Sequence, residues 1–188
     1  MVRHLPNIIT LCRLFAVPLT IYLILEDQLE TAFWVFVGAG ISDAVDGAIA
    51  RLCDARTAIG GVLDPLADKA LLVSVYISLG TIGFLPLWLV ILVVFRDLLI
   101  VGGVMLAYTL RLPVAMDPLY ISKVNTLAQL MLAGVVLAVS GTMIADPLIV
   151  NMPLTVVLQD IVAVTTVLSG AWYVWRSGMI FDGAGRGT

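Results

Sequence analysis

Histidine is almost missing from this chain, with one copy, His4, in 188 residues. There are two cysteines, Cys12 and Cys53, and their spacing matches neither a metal-binding nor a redox motif. A His/Cys metal centre and a disulfide framework are therefore excluded as organising features. Charge is scarce as well: 12% of residues are Asp, Glu, Lys or Arg, about half the share usual in soluble domains. The net charge of −3 gives no basic excess with which to bind nucleic acid. No fixed-period repeat, low-complexity tract or long polar linker divides the chain, so one domain is expected.

What fills the chain is apolar sequence. Hydrophobic residues make up 61% of it, in long runs. No soluble core of this size has room for that much, so the expected class is an all-α integral membrane protein. About six transmembrane helices fit, near 8–25, 31–53, 59–82, 85–110, 120–143 and 148–175. The first run follows Arg3 and His4 in the manner of a signal peptide, but Arg13 and Pro18 interrupt it and no small-residue cleavage site follows. It is read as a retained helix. The single membrane domain is expected over 1–180, with residues 181–188 as a flexible Gly-rich tail.

The basic residues orient this layout. Of the ten, Arg3, Arg13, Arg51, Arg56, Arg111, Lys123, Arg176 and Arg186 lie in or beside the N-terminus, the second-to-third and fourth-to-fifth connections, and the C-terminus. The connections on the other face contain none. The positive-inside rule then places both termini in the cytoplasm. Lys69 and Arg96 fall within helices, and charges at that depth suggest a lined, hydrated cavity. Trp88, Trp172, Tyr173 and Trp175 sit near expected helix ends, as in an interfacial aromatic belt.

Against this background four acids stand close together: Asp43, Asp46, Asp64 and Asp68. Asp43 and Asp46 are three apart, which puts them on one helical face about 4.5 Å apart along the axis. Asp64 and Asp68 are four apart on the next helix. Facing pairs on two antiparallel helices would form a cluster whose mutual repulsion divalent cations relieve, and hard ions take such oxygen ligands together with substrate phosphates. Four carboxylates suffice for two ions, Mg²⁺ or Mn²⁺. Gly47, Gly60 and Gly61 would give a ligand close access to backbone, though they also permit tight helix approach. Two other readings use the same acids: a polar network locking the bundle, and an ion transporter whose path they line.

The stretch Asp43-x2-Asp46-Gly47-x2-Ala50-Arg51-x8-Gly60-x3-Asp64-x3-Asp68 resembles, with every gap intact, the signature of CDP-alcohol phosphatidyltransferases. The resemblance implies that Asp43, Asp46, Asp64 and Asp68 bind the metals. Asp68 would also act as the base on an acceptor hydroxyl. Gly47, Ala50, Arg51 and Gly60 would contact the CDP moiety. The implied reaction is phosphatidyl transfer from CDP-diacylglycerol with release of CMP, by a homodimer in a bacterial inner membrane with its site facing the cytoplasm.

Three further stretches resemble the eukaryotic-type cardiolipin synthase branch: Pro6-Asn7-x2-Thr10-x2-Arg13, Leu63 to Lys69, and Arg96-Asp97 with Ile121 to Thr126. Phosphatidylglycerophosphate synthases are similar too, but tend to carry Arg-Glu and a Gly-Lys-x-Lys-Thr-like stretch where this chain has Asp97 and Asn125. The favoured acceptor is therefore phosphatidylglycerol, with glycerol-3-phosphate as the alternative. Arg96, Arg111 and Lys123 are the candidates to hold the acceptor phosphate. The competing readings are a salt bridge to Asp97 for Arg96, a positive-inside anchor for Arg111, and snorkelling to headgroups for Lys123. Asn7, Thr10 and Arg13 are candidates for headgroup contact, with a helix-start role competing for the first two. Asp160 and Gln159 receive no role.

Overall fold

A computed structural model describes the backbone of residues 5–53, 60–109, 120–142, 145–149 and 152–184, and the side chains of 14–42, 69–103, 120–142, 145–149 and 152–175. The apolar runs form six helices: α1 Leu5–Leu25, α2 Leu29–Cys53, α3 Gly60–Thr81, α4 Leu87–Thr109, α5 Tyr120–Thr142 and α6 Leu154–Ala184. The first five match the expected spans closely. The sixth does not. Residues expected to open it form instead a two-residue antiparallel pairing, β1 Leu148–Ile149 with β2 Met152–Pro153, and the helix starts six residues late. Pro153 explains the late start, because proline fits the entrance of a helix but not its interior. At the other end α6 runs to Ala184, so Phe181–Ala184 of the expected tail are helical. Trp172 and Trp175 therefore lie inside α6 rather than at its end, packed edge to face at 5.3 Å.

Local chemistry closes the connections. α1 ends in a Schellman turn, with Gln28 N–H donating to Leu23 O at 2.8 Å and Asp27 N–H to Ile24 O at 3.2 Å. The turn requires a left-handed residue, and here it is Asp27, with φ of 58°. α3 ends in the same way. Phe84 N–H donates to Leu79 O at 2.9 Å, and Gly83 takes the positive φ of 87°. Before α6, the Asp146 carboxylate accepts from both the backbone N–H and the hydroxyl of Thr155, capping the helix from outside its own chain segment.

The helices close a ring in the order α1, α2, α5, α6, α4, α3 and back to α1, with α3 also touching α5 across it. Small residues set the tightest approach. A Cβ added at Gly141 of α5 would lie 2.6 Å from the carbonyl carbon of Leu29, at the first turn of α2. The interior joins Tyr76, Leu79, Leu89, Val93, Leu132, Leu137 and Val162.

The distribution of polarity is that of a protein in lipid. Leu14, Phe15, Ile91, Phe95, Leu98, Val124, Leu127, Val164 and Leu168 stand exposed, while Arg96, Asp97, Asn125, Gln129, Thr166 and Ser169 are buried. Charged groups inside and apolar groups outside is the arrangement expected in a bilayer. Among the described residues, Tyr120–Thr142 and Leu154–Trp175 are each long and apolar enough to cross a membrane.

Candidate active site and the buried charge cluster beside it

The four motif aspartates lie on α2 and α3, as their spacing requires. Residues 54–59 between these helices can span at most about 25 Å. α2 is roughly 37 Å long at 1.5 Å per residue. Asp43 and Asp46 lie about 15 and 10 Å before the C-terminal end of α2, and Asp64 and Asp68 about 6 and 12 Å after the start of α3. Gly47, Ala50 and Arg51 share α2 with the first pair, and Gly60 opens α3. The side chains of these residues, and those of Asn7, Thr10 and Arg13 on α1, fall outside the described set. Arg111 lies wholly outside it.

The residue directly after Asp68 on α3 is the charged Lys69. Lys69 Nζ donates to Asp97 Oδ2 across α3 and α4 at 2.7 Å. The other oxygen of that carboxylate, Oδ1, accepts from Arg96 Nη1 at 2.7 Å. Arg96 donates further, from Nη2 to Ser122 Oγ on α5 at 2.7 Å and to Ser169 Oγ on α6 at 2.6 Å, with Nε also 3.2 Å from Ser169 Oγ. One carboxylate and one guanidinium therefore join four helices. Arg96 and Asp97 are 3% and 5% exposed, so the pair is shielded from solvent screening, whereas Lys69 keeps 29% of its side chain accessible. Among the described residues, two cations meet one carboxylate here, a formal excess of one positive charge.

The α5–α6 seam continues the polar stripe. Asn125, one turn beyond Ser122, accepts at Oδ1 from Thr165 and Thr166 hydroxyls at 2.8 and 2.9 Å. Gln129 lies a turn further, and its backbone carbonyl accepts from Tyr76 of α3 at 3.1 Å. Asn125 thus packs as an interhelical link inside the bundle. Lys123, by contrast, points away from this cluster, exposed and with Nζ 5.7 Å from the centre of the Tyr120 ring. Of the three cations proposed from sequence for the acceptor phosphate, the described structure places Arg96 alone in the interior network. Lys69, the second partner of Asp97, and Ser122 and Ser169, the partners of Arg96, were missed. Lys69 gave a signal, as a lysine at membrane depth beside a motif aspartate. The two serines gave none, because their partner is 26 and 73 residues away in the chain. Asp160 is exposed on α6.

A helical bundle with apolar outer faces, buried charge and an aspartate signature on two consecutive helices defines a membrane-associated transferase class. A model of the CDP-alcohol phosphatidyltransferase family matches residues 3–175, and the chain belongs to that family. It is 35% identical over 150 residues to a cardiolipin synthase (CMP-forming) of Rattus norvegicus, covering 71% of this chain and 50% of that one. It is 36% identical over 184 residues to a cardiolipin synthase (CMP-forming) / mitochondrial hydrolase fusion protein of Schizosaccharomyces pombe, covering 90% and 30%. A chloroplastic CDP-diacylglycerol–glycerol-3-phosphate 3-phosphatidyltransferase of Oryza sativa is 36% identical over 151 residues, covering 71% and 46%. The chain thus spans half or less of the length of these curated relatives.

Proposed function

We propose that this chain transfers a phosphatidyl group from CDP-diacylglycerol to the hydroxyl of a glycerophosphate-type acceptor, releasing CMP. The observation that carries the reading is the complete aspartate signature, carried by the consecutive helices α2 and α3, within a chain that the family matches over residues 3–175. The acceptor oxygen bonds to the lipid-bearing phosphorus, the bond from that phosphorus to the bridging oxygen breaks, and CMP departs with that oxygen. Asp68 takes the proton of the acceptor hydroxyl. Gly47, Ala50, Arg51 and Gly60 hold the CDP moiety.

The donor set suits hard divalent cations: four carboxylates and no nitrogen or sulfur ligand in the signature. Asp43, Asp46, Asp64 and Asp68 would hold two ions, Mg²⁺ or Mn²⁺. When bound, such ions offset the pyrophosphate charge and stabilise the departing phosphate. Family membership supports this transferase reading over an ion pathway.

The favoured acceptor is phosphatidylglycerol, as in the cardiolipin synthases among its relatives. Asp97 and Asn125 support that choice. Glycerol-3-phosphate is the second reading, favoured by the rice relative at 36% identity against 35% for the rat cardiolipin synthase. Either acceptor is an anion, which suits the net positive charge around Arg96. Arg111 and Lys123 flank the α4–α5 connection as further cations, and Asn7, Thr10 and Arg13 serve headgroup contact. In this reading all six helices span a bacterial inner membrane as one domain, with both termini and the site on the cytoplasmic side, and the protein works as a homodimer. The positive-inside distribution and the 21–31-residue helix lengths support the topology.

The test is an acceptor comparison. Purified protein with CDP-diacylglycerol and Mn²⁺ is offered phosphatidylglycerol or glycerol-3-phosphate, and products are identified by mass. Cardiolipin is expected. Phosphatidylglycerophosphate would select the second acceptor, and no CMP with either would overturn the proposal.

A further inference from the structure

We infer that Asp97 is a positioning residue, which acts through Lys69 to set the rotation of α3 and with it the placement of Asp64 and Asp68. The inference rests on the proposed metal role of those two aspartates and deepens it. Lys69 is the residue directly after Asp68, and it is bonded to Asp97 at 2.7 Å. Asp97 is not itself free to drift. Arg96 grips its other oxygen at 2.7 Å and is in turn tied to Ser122 on α5 and Ser169 on α6. The anchor is therefore a rigid block of three helices, and the tether is one lysine side chain reaching from α3.

Among the described residues no other ion pair reaches α3. Among the described residues, the buried side chains of α3 are otherwise apolar apart from Ser78 and the Tyr76 hydroxyl, which bonds the Gln129 carbonyl two turns from Lys69. The Lys69–Asp97 bond adds a directional restraint on the rotation of α3 to that of its close-packed apolar contacts. The geometry makes that rotation matter. A carboxylate held about 6 Å from the helix axis moves about 2 Å when the helix turns by 20°, and misplacements of about 1 Å can cost on the order of 100-fold in rate. Metal ligation is as demanding, because Mg²⁺ requires near-ideal octahedral geometry.

The test uses the full-length protein in detergent or nanodiscs, with Mn²⁺ binding read by electron paramagnetic resonance and turnover read by CMP release. Lys69→Met removes the tether and leaves Asp97 paired with Arg96. It should weaken Mn²⁺ binding at least tenfold and lower kcat by 10- to 100-fold, with KM for CDP-diacylglycerol within threefold of the parent value. Lys69→Arg retains a donor at that length and should stay within threefold on every measure. Asp97→Asn should match Lys69→Met in Mn²⁺ affinity, and the double variant should be no worse than the poorer single, because both remove the same link.

Three results would overturn the inference. Multiplicative losses in the double variant would mean independent roles. A raised KM with intact Mn²⁺ affinity in Lys69→Met would make Lys69 a substrate contact. Unchanged Mn²⁺ affinity with a lowered melting temperature would make the pair merely structural. If Asp97→Asn does not fold, Ser169→Ala, which loosens Arg96 from outside the pair, should show the same Mn²⁺ loss in milder form, and its absence would count against the inference. Mn²⁺ affinity is read without turnover. Failure of the transfer reaction in a parent protein that binds Mn²⁺ would therefore sink the proposed function while leaving this inference testable.

Discussion

Replacing Arg96 tests how much of the bundle hangs on one side chain. Arg96→Met keeps most of the aliphatic volume and removes the charge. It takes one cation from a carboxylate that is 5% exposed, and it strips partners from the hydroxyls of Ser122 and Ser169. Breaking a buried ion pair from one side costs about 3–5 kcal/mol. Lys69 still holds the second oxygen of Asp97, so the low end applies, about 3 kcal/mol. Arg96→Lys separates charge from shape. An ammonium is a compact point donor on a shorter stem, and it cannot reproduce the planar fork that reaches Asp97, Ser122 and Ser169 together. Losing one or two of those bonds costs about 1–3 kcal/mol. Reversible unfolding in mixed micelles, followed by helical circular dichroism against SDS mole fraction, orders the three proteins. The reasoning predicts wild type most stable, then Lys, then Met. It would be refuted if Arg96→Lys matched wild type, since the cluster would then need only a charge, or if Arg96→Met lost less than about 1 kcal/mol, the worth of a surface pair.

The same stability assay checks the closest helix contact. Gly141→Ala forces α5 off the backbone of Leu29 and Glu30 and should cost about 1–3 kcal/mol, whereas Gly134→Ala meets only the Phe36 ring at 3.9 Å and should be tolerated. Asp27→Gly removes a left-handed non-glycine residue from the α1 Schellman turn and should stabilise the protein by up to about 1 kcal/mol, read as a rise in melting temperature. Chelation with EDTA should reduce CMP release by at least 100-fold, restored by excess Mn²⁺ or Mg²⁺. Full activity in EDTA would contradict the donor-set argument.

Much of this architecture was legible in the residues, for identifiable reasons. Five helices fall within a few residues of where apolar run length puts them. The signature aspartates fall on helices α2 and α3, as expected from their spacing. The β1–β2 pairing ahead of α6 was hidden because Leu148, Ile149 and Met152 are as apolar as the helix they precede, and hydropathy has no term for hydrogen-bond direction. The charge cluster was half visible. Arg96 beside Asp97 is a local pattern, but the tether from Lys69 and the anchors at Ser122 and Ser169 are long-range contacts, and helix rotation decides them. Asn125 shows the same limit. Its type hinted at an acceptor preference, while its position shows it engaged by Thr165 and Thr166.

The central claim is that the aspartates of α2 and α3 perform phosphatidyl transfer. The most direct measurement is release of CMP from CDP-diacylglycerol by purified protein with Mn²⁺ and phosphatidylglycerol, compared with that of its Asp68→Asn variant. The account predicts cardiolipin and CMP in equal amounts from the parent, and at least a 100-fold loss from the variant, whose amide cannot accept the hydroxyl proton. Undiminished CMP release by a folded Asp68→Asn protein would contradict it.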